Sequence, residues 1–382
     1  MAKVARADVV GSLLRPPYLQ EARQAFRDGK LDKAALRTVE DRVVREDIAI
    51  QEAAGVDVVS DGEGRRTNWI ASVDVTNDPS FVAPIKGLEM RDIPPPSWFA
   101  FWRNNQGERR EMTLRAWSVV TQMLSLQRDI VLDEYGFLKA NTSKRKKYTF
   151  PSPSYHRIFW DEAQSSGAYR TVDDFLVAVR DFIRVHIVEP LIAMGCDYIQ
   201  MDAPNYGQSY PDPEVRAAME ADGHDLDAEL IGDAEIDNSL FEGIAGVTRA
   251  LHVCRGNGPN GTWSAAGGYD AFAEPMFKRL GNYDTLLLEY DTPRAGDFSP
   301  LQHVLPGTNV VLGLLTTKEG ALEDAALIEQ RIREASRFVP LERLCLSTQC
   351  GFASAGAGNP ITPEEQSAKL RRVVEVARKV WG

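Results

Sequence analysis

The feature that most constrains the fold of this chain is a regular alternation of short apolar runs with amphipathic segments. Each run is rich in β-branched residues or leucine and ends at a polar residue, a glycine or a proline. Runs of this kind are typical of strands buried on both faces, as in a parallel sheet. Eight of them occur, at residues 4–12, 57–63, 146–153, 197–204, 249–257, 285–291, 309–317 and 344–350.

Helical periodicity fills the stretches between these runs. Apolar residues recur at helical spacing over 33–54, where Gly55 predicts the end of the helix. The same pattern occurs at 172–194, 267–280, 321–338 and 362–381, and the last of these begins with the capping sequence Thr-Pro-Glu-Glu. Eight strands that alternate with helices predict an α/β fold, a (β/α)8 TIM barrel that forms one domain over residues 1–382.

Two segments do not fit the repeat. Residues 64–145, between the second and third predicted strands, are far longer than an ordinary crossover. We predict a helical or irregular insertion here that partly covers the barrel mouth, although a packed surface insertion fits the pattern equally well. Residues 211–240 are rich in Asp and Glu and predict solvated helices.

Composition excludes several classes of function. The formal net charge of −11 and the isoelectric point near 5.1 argue against a nucleic-acid-binding protein, which normally shows a basic surface. No apolar run approaches the roughly 20 residues that span a bilayer, and no signal-peptide pattern occurs, so we expect a cytoplasmic chain without a membrane partner. The sequence leaves homo-oligomerisation open. In the cytoplasm the four cysteines stay reduced and free to bind metal.

Polar residues follow the predicted strands at their carboxyl ends, which is where barrel enzymes place their catalytic groups. Among them, His252 and Cys254 stand two apart and therefore point to one face of a strand. Glu289 and Cys350 end two later strands, and all strand ends of a barrel meet at one mouth. The full set of strand-end residues is Ser12, Glu63, Asp202, His252, Cys254, Glu289, Thr317, Lys318 and Cys350.

One imidazole, two thiolates and one carboxylate favour zinc over magnesium or calcium. We therefore predict a Zn²⁺ site formed by His252, Cys254, Glu289 and Cys350. Each ligand has a more ordinary alternative when it is taken alone. A free cysteine is commonly a small buried hydrophobe, as we expect for Cys196 and Cys345, and Glu289 is equally suited to pair with an arginine.

The predicted ligands indicate a reaction. A thiol with a pKa near 8.5 is mostly protonated at neutral pH, and a metal cation deprotonates it to the nucleophilic thiolate. We therefore predict that a small thiol is activated for alkylation, and that Glu289 is the ligand that loosens when the substrate sulfur arrives.

At these residues the sequence resembles the C-terminal catalytic barrel of cobalamin-independent methionine synthase. The resemblance runs from VGSLLRP at residues 10–16 to QCGFAS at 349–354. It implies transfer of a methyl group to homocysteine in methionine biosynthesis. It also implies that Glu63 of DGE and Asp202 of IQMD bind the ammonium of homocysteine and that Ser12 holds its carboxylate. Strand-end acids suit an ammonium, although Glu63 is also placed to pair with Arg65 or Arg66.

Three departures from the family leave the methyl donor open. We expect this chain to lack the additional N-terminal barrel of the full synthase. Where the family has Asp-Glu-Pro, this sequence has Asp202, Ala203 and Pro204. The catalytic histidine of the family aligns with Lys318 or with neighbouring Thr316 and Thr317. A donor of methyltetrahydrofolate type or a corrinoid protein is the prediction, with Lys318 as the catalytic acid. Trp69, Trp98 and Trp102 are candidates to stack on a flat donor.

Other functions remain open on sequence alone. An epoxyalkane:coenzyme M transferase uses similar zinc-thiolate chemistry, and Arg65, Arg66 and Arg255 would suit a sulfonate, with Lys318 or Tyr206 as the acid. A non-catalytic zinc-binding scaffold is a second alternative, although structural zinc sites usually have short local motifs. A metal-free decarboxylase on the related uroporphyrinogen decarboxylase barrel would have no use for the histidine and cysteine set.

Overall fold

The computed structural model describes residues 4–72, 84–100, 102–104, 106–110, 116–356 and 358–382. Helices and strands alternate through most of this range. The α-helices are α1 (Pro17–Arg27), α2 (Lys33–Ala54), α3 (Ile130–Asn141), α4 (Glu162–Ser165), α5 (Val172–Ile183), α6 (Glu189–Ala193), α7 (Pro204–Ser209), α8 (Pro213–Ala221), α9 (Leu226–Ser239), α10 (Ala273–Phe277), α11 (Ala325–Ala335) and α12 (Pro363–Trp381).

The strands form one large parallel sheet and two small antiparallel pairs. They are β1 (Ile85–Arg91), β2 (Trp102–Arg103), β3 (Arg109–Arg110), β4 (Trp117–Leu126), β5 (Tyr148–Pro151), β6 (Tyr198–Asp202), β7 (Thr248–Val253), β8 (Thr285–Glu289), β9 (Asn309–Leu315) and β10 (Leu344–Thr348). The large sheet runs β5-β6-β7-β8-β9-β10, and every neighbouring pair in it is parallel. The predicted α/β class is confirmed, and six of the eight predicted strands lie in this sheet.

The first two predicted strands differ from the prediction. Residues 4–12 and 57–63 contribute only isolated parallel bridges, from Ala7 to Leu346 of β10 and from Val59 to Lys146 beside β5. Asp57 explains part of the difference, because its carboxylate accepts hydrogen bonds from the amides of Arg6 and Ala7 at 2.7 and 3.0 Å. A side chain thus replaces the backbone acceptors of a regular ladder.

The segment 64–145 also differs from the helical or irregular insertion that the sequence predicts. Its described part contains four strands in addition to α3. β1 pairs with β4 and β2 pairs with β3, both antiparallel. Local periodicity could not reveal these pairs, because their partners lie up to about 40 residues apart in register (Ile85 opposite Leu126).

Two long helices follow their sequence signals closely. α2 begins at Lys33, where the Asp32 side chain accepts from the amide of Ala35, and it ends at Gly55 in a left-handed conformation. α12 begins with a capping box in which the Thr362 hydroxyl and the Glu365 carboxylate each accept from the other residue's backbone amide. The predicted helix over 267–280 is much shorter, because its helical parts are a 3-10 turn at Tyr269–Ala271 and α10.

Buried polar side chains at β5 and β6 form hydrogen bonds with one another and with the first segment of the chain. Lys147 is fully buried and pairs with Asp8 at 2.7 Å. It also donates to the side-chain oxygen of Gln200 at 2.6 Å. Tyr198 donates to Asp8 at 2.6 Å. These contacts give the buried charges of Lys147 and Asp8 partners and join β5 and β6 to the first segment of the chain.

The helices of the described chain are not membrane spans, since none of them is both long enough and apolar enough to cross a bilayer.

We expect Thr362→Ala to lower the free energy of unfolding by about 1 kcal/mol, because it removes the cap of α12, a helix packed against β10 and α2. Urea unfolding followed by circular dichroism measures the change. Ser367→Ala is the matched control, since Ser367 makes only a hydrogen bond to the carbonyl of Pro363 within the same helix. Equal effects of the two substitutions would contradict the capping role.

Candidate metal and thiol site

A cavity of about 460 Å³ lies at the carboxyl edge of the large sheet. Side chains from the ends of different strands line this cavity, and they include both carboxylates and thiols. From the strand-end residues of the sequence analysis it is lined by Ser12, Glu63, Asp202, His252, Cys254 and Cys350.

Three soft ligands converge in this cavity. One ligand atom from each of His252, Cys254 and Cys350 lies within 4.8 Å of the other two, and all three residues are buried. Ligands of a tetrahedral zinc ion stand about 3.8 Å apart when its bonds are near 2.3 Å. Small side-chain adjustments therefore suffice to hold an ion.

The orientation of His252 suits the same purpose. Its Nδ1 lies 3.2 Å from the carbonyl oxygen of Leu287 on the neighbouring strand β8. A proton on Nδ1 leaves Nε2 as the ligand atom, which is how outer hydrogen bonds set the tautomer of metal-binding histidines. The donor set of one imidazole and two thiols thus fits zinc.

The thiols of Cys254 and Cys350 influence each other's ionisation. The hydrogen bond from Cys254 and the proximity of His252 hold the pKa of Cys350 well below its usual range. Cys350 in turn raises the pKa of Cys254. Burial lowers the pKa of His252, but contact with Cys350 outweighs burial and raises the pKa to about 8. Of the two thiols, Cys350 is therefore the one whose ionisation its neighbours favour.

Glu289 is placed differently from the other predicted ligands. It is fully buried at the end of β8, and its Oε2 accepts from the backbone amide and from Nε of Arg255, both at 3.2 Å. Its Oε1 has no hydrogen-bond partner in the described part of the chain. Glu289 is therefore paired with an arginine, which is the alternative that the sequence left open. Its role as a zinc ligand stays a prediction.

Glu63 occupies an unusual backbone position. Its φ is +54°, in the left-handed region, and Gly62 before it has φ +65°. Asp61 supports the turn, because its carboxylate accepts from the amide of Glu63 at 3.0 Å. The turn aims the Glu63 carboxylate inward, where Oε1 accepts from the hydroxyl of Thr149 at 2.8 Å.

The other side of this carboxylate is available to a ligand. Oε2 of Glu63 is buried without a hydrogen-bond partner in the residues that the structure covers. Arg66, which the sequence offered as a partner, stands 3.7 Å from Oε1 and binds Glu134 at 2.9 Å. Burial raises the pKa of Glu63 to about 7, even though Arg66 opposes the rise.

Asp202 is held in place by a hydrogen bond from a buried polar side chain of β6. Its Oδ1 accepts from Nε2 of Gln200 at 2.7 Å, and Gln200 accepts from Lys147. Burial raises the pKa of Asp202 to about 6. Glu63 and Asp202 therefore present two carboxylates to one cavity, each oriented by neutral hydrogen-bond donors.

Ser12 lines the cavity beside the loop after β10. Its Oγ accepts from the amide of Ala353 at 3.3 Å. Gly351 fits closely against it, since a Cβ at this position would lie 2.2 Å from Oγ of Ser12. The first segment and the Cys350 loop thus pack as one wall.

Lys318 does not line this cavity. Its Nζ donates to Oδ1 of Asn257 at 2.9 Å, and the lysine faces a separate cavity of about 410 Å³ beside Trp263 and Arg294. Burial lowers the pKa of Lys318. Asn257 stands between Lys318 and the thiol cavity, so the role of Lys318 as a catalytic acid stays a prediction that its position does not favour.

Aromatic side chains form the outer wall of the thiol cavity. Trp69 and Trp102 line it as candidates from the sequence, but Trp98 lines a neighbouring cavity of about 230 Å³. Four further aromatic residues of this wall were missed in the sequence analysis. No periodic pattern marks them, because two come from the long segment and two from the loop after β5. They are Phe99, Trp117, Tyr155 and Phe159.

Gly207 of α7 fixes the position of Cys254. A Cβ at Gly207 would lie 2.3 Å from the carbonyl oxygen of Cys254. Any residue with a Cβ at this position would clash with the carbonyl oxygen unless the backbone moved. The helix after β6 therefore presses directly on the backbone that carries one of the sulfur ligands.

Comparison with known proteins identifies relatives along the whole chain. No family model matches it. The uncharacterized protein YxjH of Bacillus subtilis is 36% identical over 382 residues, which cover 98% of this chain and 94% of that protein. A 5-methyltetrahydropteroyltriglutamate–homocysteine methyltransferase of Syntrophotalea carbinolica is 22% identical, and its match covers 97% of this chain but 42% of that enzyme.

Two solved structures share the fold over nearly their whole length. One is from Listeria monocytogenes and is described as a candidate vitamin-B12-independent methionine synthase. It is 26% identical with a TM-score of 0.69, and the match covers 100% of this chain and 99% of that chain. The other is a B12-independent methionine synthase of Shewanella in complex with selenomethionine. It is 19% identical with a TM-score of 0.69, over 99% of this chain and 98% of that one.

We expect Gly207→Ala to lower the free energy of unfolding by about 1–3 kcal/mol, because the added methyl group meets the Cys254 carbonyl. Gly232→Ala is the control, since Gly232 lies in α9 with open space around its Cα. We expect that change to raise stability by about 0.5–1 kcal/mol. Chemical unfolding of both variants tests the pair. A Gly207→Ala protein as stable as the parent would show that α7 does not constrain Cys254.

Proposed function

The chain belongs to the cobalamin-independent methionine synthase family, and from this premise we propose that it is a zinc-dependent S-methyltransferase that methylates the thiolate of homocysteine. The observation that carries the proposal is the convergence of His252, Cys254 and Cys350 within 4.8 Å, in the cavity that also presents Glu63 and Asp202. A soft metal site beside two carboxylates suits a substrate with both a thiol and an ammonium group.

In the proposed enzyme His252, Cys254 and Cys350 hold the ion, and Glu289 is the fourth ligand. Zinc bound here supplies a cation that lowers the pKa of a substrate thiol. The unpartnered Oε1 of Glu289 supports its assignment, because a buried carboxylate oxygen without a hydrogen bond is costly unless a cation satisfies it.

The remaining residues bind and orient the amino acid. Glu63 and Asp202 accept hydrogen bonds from its ammonium, and the orphaned Oε2 of Glu63 is the acceptor that lacks a donor in the described chain. The hydroxyl of Ser12 donates a hydrogen bond to the carboxylate of the amino acid. Gln200 holds Asp202 in place through its 2.7 Å hydrogen bond. Burial of all these groups excludes water from the thiolate, which keeps the sulfur weakly solvated and reactive.

An epoxyalkane:coenzyme M transferase is less well supported. The arginines that would bind a sulfonate are engaged elsewhere: Arg66 with Glu134 at 2.9 Å, and Arg255 with Glu289 at 3.2 Å. Arg65 contacts Asp41. Tyr206, an acid candidate for that reaction, donates to Asp237 at 2.7 Å.

We further propose that the large sheet closes into a (β/α)8 barrel through the first two segments. Ala7 bridges to β10, and Val59 bridges to Lys146, two residues before β5. The amide of Asp57 donates to the carbonyl of Ala7 at 2.9 Å, which joins the two segments to each other. These contacts connect both edges of the sheet, β10 and β5.

We expect the purified protein to contain about one zinc ion per chain. We expect His252→Ala and Cys350→Ala each to lower the zinc content below about a tenth of that value, because three ligands must act together. Elemental analysis by mass spectrometry measures the metal. Cys345→Ala is the matched control, since Cys345 is a buried thiol within β10 that is not part of the cluster. Zinc retained in both ligand variants would rule out this site.

We expect the affinity for methionine to fall as the pH drops from 8 to 5.5. Methionine carries the ammonium of the substrate but no ionisable thiol. With a pKa of about 7, Glu63 is charged above this pH and loses its charge below it, so binding weakens by up to about tenfold per pH unit. Isothermal titration measures the profile.

In Glu63→Gln we expect weaker binding and a flatter profile over the same range. Glu274→Gln, an exposed acid paired with Lys278, serves as control and should match the parent. If the Glu63→Gln profile is as steep as that of the parent, then Glu63 is not the acid that binds the ammonium.

A further inference from the structure

Resting on the proposed function, we propose that the methyl donor is a small cation, a methylsulfonium compound, whose charged methyl-bearing sulfur lies against the aromatic wall of the thiol cavity. The sequence predicts methyltetrahydrofolate or a corrinoid in this place. The charge and the surface of the cavity favour a donor of different chemistry.

The aromatic wall is continuous. Trp69 contacts Tyr155 with ring centroids 4.8 Å apart, and Tyr155 contacts Phe159 at 6.5 Å. Trp117 follows at 6.4 Å from Phe159, and Phe99 packs on Trp117 at 4.7 Å. Adjacent aromatic faces attract cations through their negative π-clouds and bind onium groups in this way.

Trp102 extends this wall at one end. Its ring lies 5.9 Å from that of Phe99, and it rests on Gly258, where a Cβ would come within 2.4 Å of the indole. Its Nε1 is buried without a hydrogen-bond partner in the described part of the molecule. The wall therefore ends in one hydrogen-bond donor, which suits a carboxylate or carbonyl on the far side of a small donor molecule.

Carboxylates are more numerous than lysines and arginines in the described lining of the cavity. Among the described residues that line it there is no lysine or arginine, whereas Glu63 and Asp202 are both present. The proposed substrate ammonium is shared by Glu63 and Asp202, and Arg66 stands 3.7 Å from Oε1 of Glu63. A small cation meets carboxylates and aromatic rings in this space, while an anionic tail such as a glutamate chain would find no lysine or arginine in the described wall.

Buried acceptor atoms add to this preference. Oδ1 of Asn68 and Oε1 of Gln208 lie in the wall without hydrogen-bond partners in the described chain. Oxygen atoms with free lone pairs stabilise a positive ligand and leave an anion unfavoured. The aromatic wall, the two carboxylates and these oxygens thus select the same sign of charge.

The chemistry of transfer also fits a sulfonium. The thiolate sulfur of homocysteine attacks the methyl carbon and forms a new carbon–sulfur bond. The bond from this carbon to the donor sulfur breaks, and its electron pair stays on the donor sulfur, which leaves as a neutral thioether. No proton moves. A donor that leaves as a neutral molecule needs no general acid, which is consistent with Lys318 binding Asn257 without itself lining the cavity.

The test uses the full-length, zinc-loaded chain with trimethylsulfonium as probe and tert-butanol as its neutral isostere. Tryptophan fluorescence and isothermal titration measure binding. We expect the cation to bind at least about tenfold more tightly than the isostere. With homocysteine present, we expect dimethyl sulfide and methionine to form in equal amounts.

Variants locate the site. Trp117→Leu removes one aromatic face and should weaken cation binding by about tenfold, whereas Trp117→Phe keeps a ring and should stay within about threefold of the parent. Trp160→Leu is the control, because Trp160 lines the neighbouring cavity and stacks on Phe175. Equal binding of cation and isostere, or an unchanged Trp117→Leu protein, would overturn the proposal.

Two results separate this proposal from the proposed function. In the first result, zinc content and methionine binding are as expected, trimethylsulfonium neither binds nor reacts, and monoglutamyl methyltetrahydrofolate does both. The proposal of a sulfonium donor is then wrong, while the proposed methyltransferase activity is retained. If the ligand variants keep their zinc and methionine does not bind, the methyltransferase itself falls, and with it any donor.

Discussion

Parallel strands that end at one edge are the constraint on which the site depends. In the register of the sheet Asp202 of β6 stands beside His252 of β7, and His252 stands beside Leu287 of β8. This register gives His252 the carbonyl of Leu287 as the partner of Nδ1. It also places Cys254 just past the end of β7. A slip of one residue would turn all these side chains to the opposite face of the sheet.

Close approaches between loops hold the rest of the site against this edge. Gly351 lies on Ser12, Gly11 would place a Cβ 2.8 Å from Oε1 of Glu63, and Gly207 lies on the carbonyl of Cys254. Each contact brings a backbone nearer to a functional side chain than any larger residue allows. The left-handed Glu63 adds strain of about 1–2 kcal/mol that the surrounding contacts must offset. Strain and burial at one carboxylate are typical of a functional group.

The sequence predicted those elements that depend on interactions between residues close together in the chain. The cap of α12 at Thr362 and the end of α2 at Gly55 follow from hydrogen bonds within a few residues. The pairing of His252 with Cys254 follows from the two-residue period of a strand. Trp117 and Tyr155 were missed, because contacts between distant segments bring their rings to one wall. The same reason explains why Trp98 and Lys318 face neighbouring cavities instead of the predicted one.

Glu289 shows how a buried charge is accommodated next to the cluster of His252, Cys254 and Cys350. Its Oε2 is held by Arg255, and its Oε1 is unpartnered in the described chain. Removing Arg255 would leave a buried carboxylate without a counter-charge, which costs several kcal/mol. Under the proposed function the same carboxylate contacts a cation through its other oxygen. A carboxylate with two positive partners can lose one of them without becoming an isolated buried charge. This property suits the ligand that must loosen when a substrate thiolate takes its place.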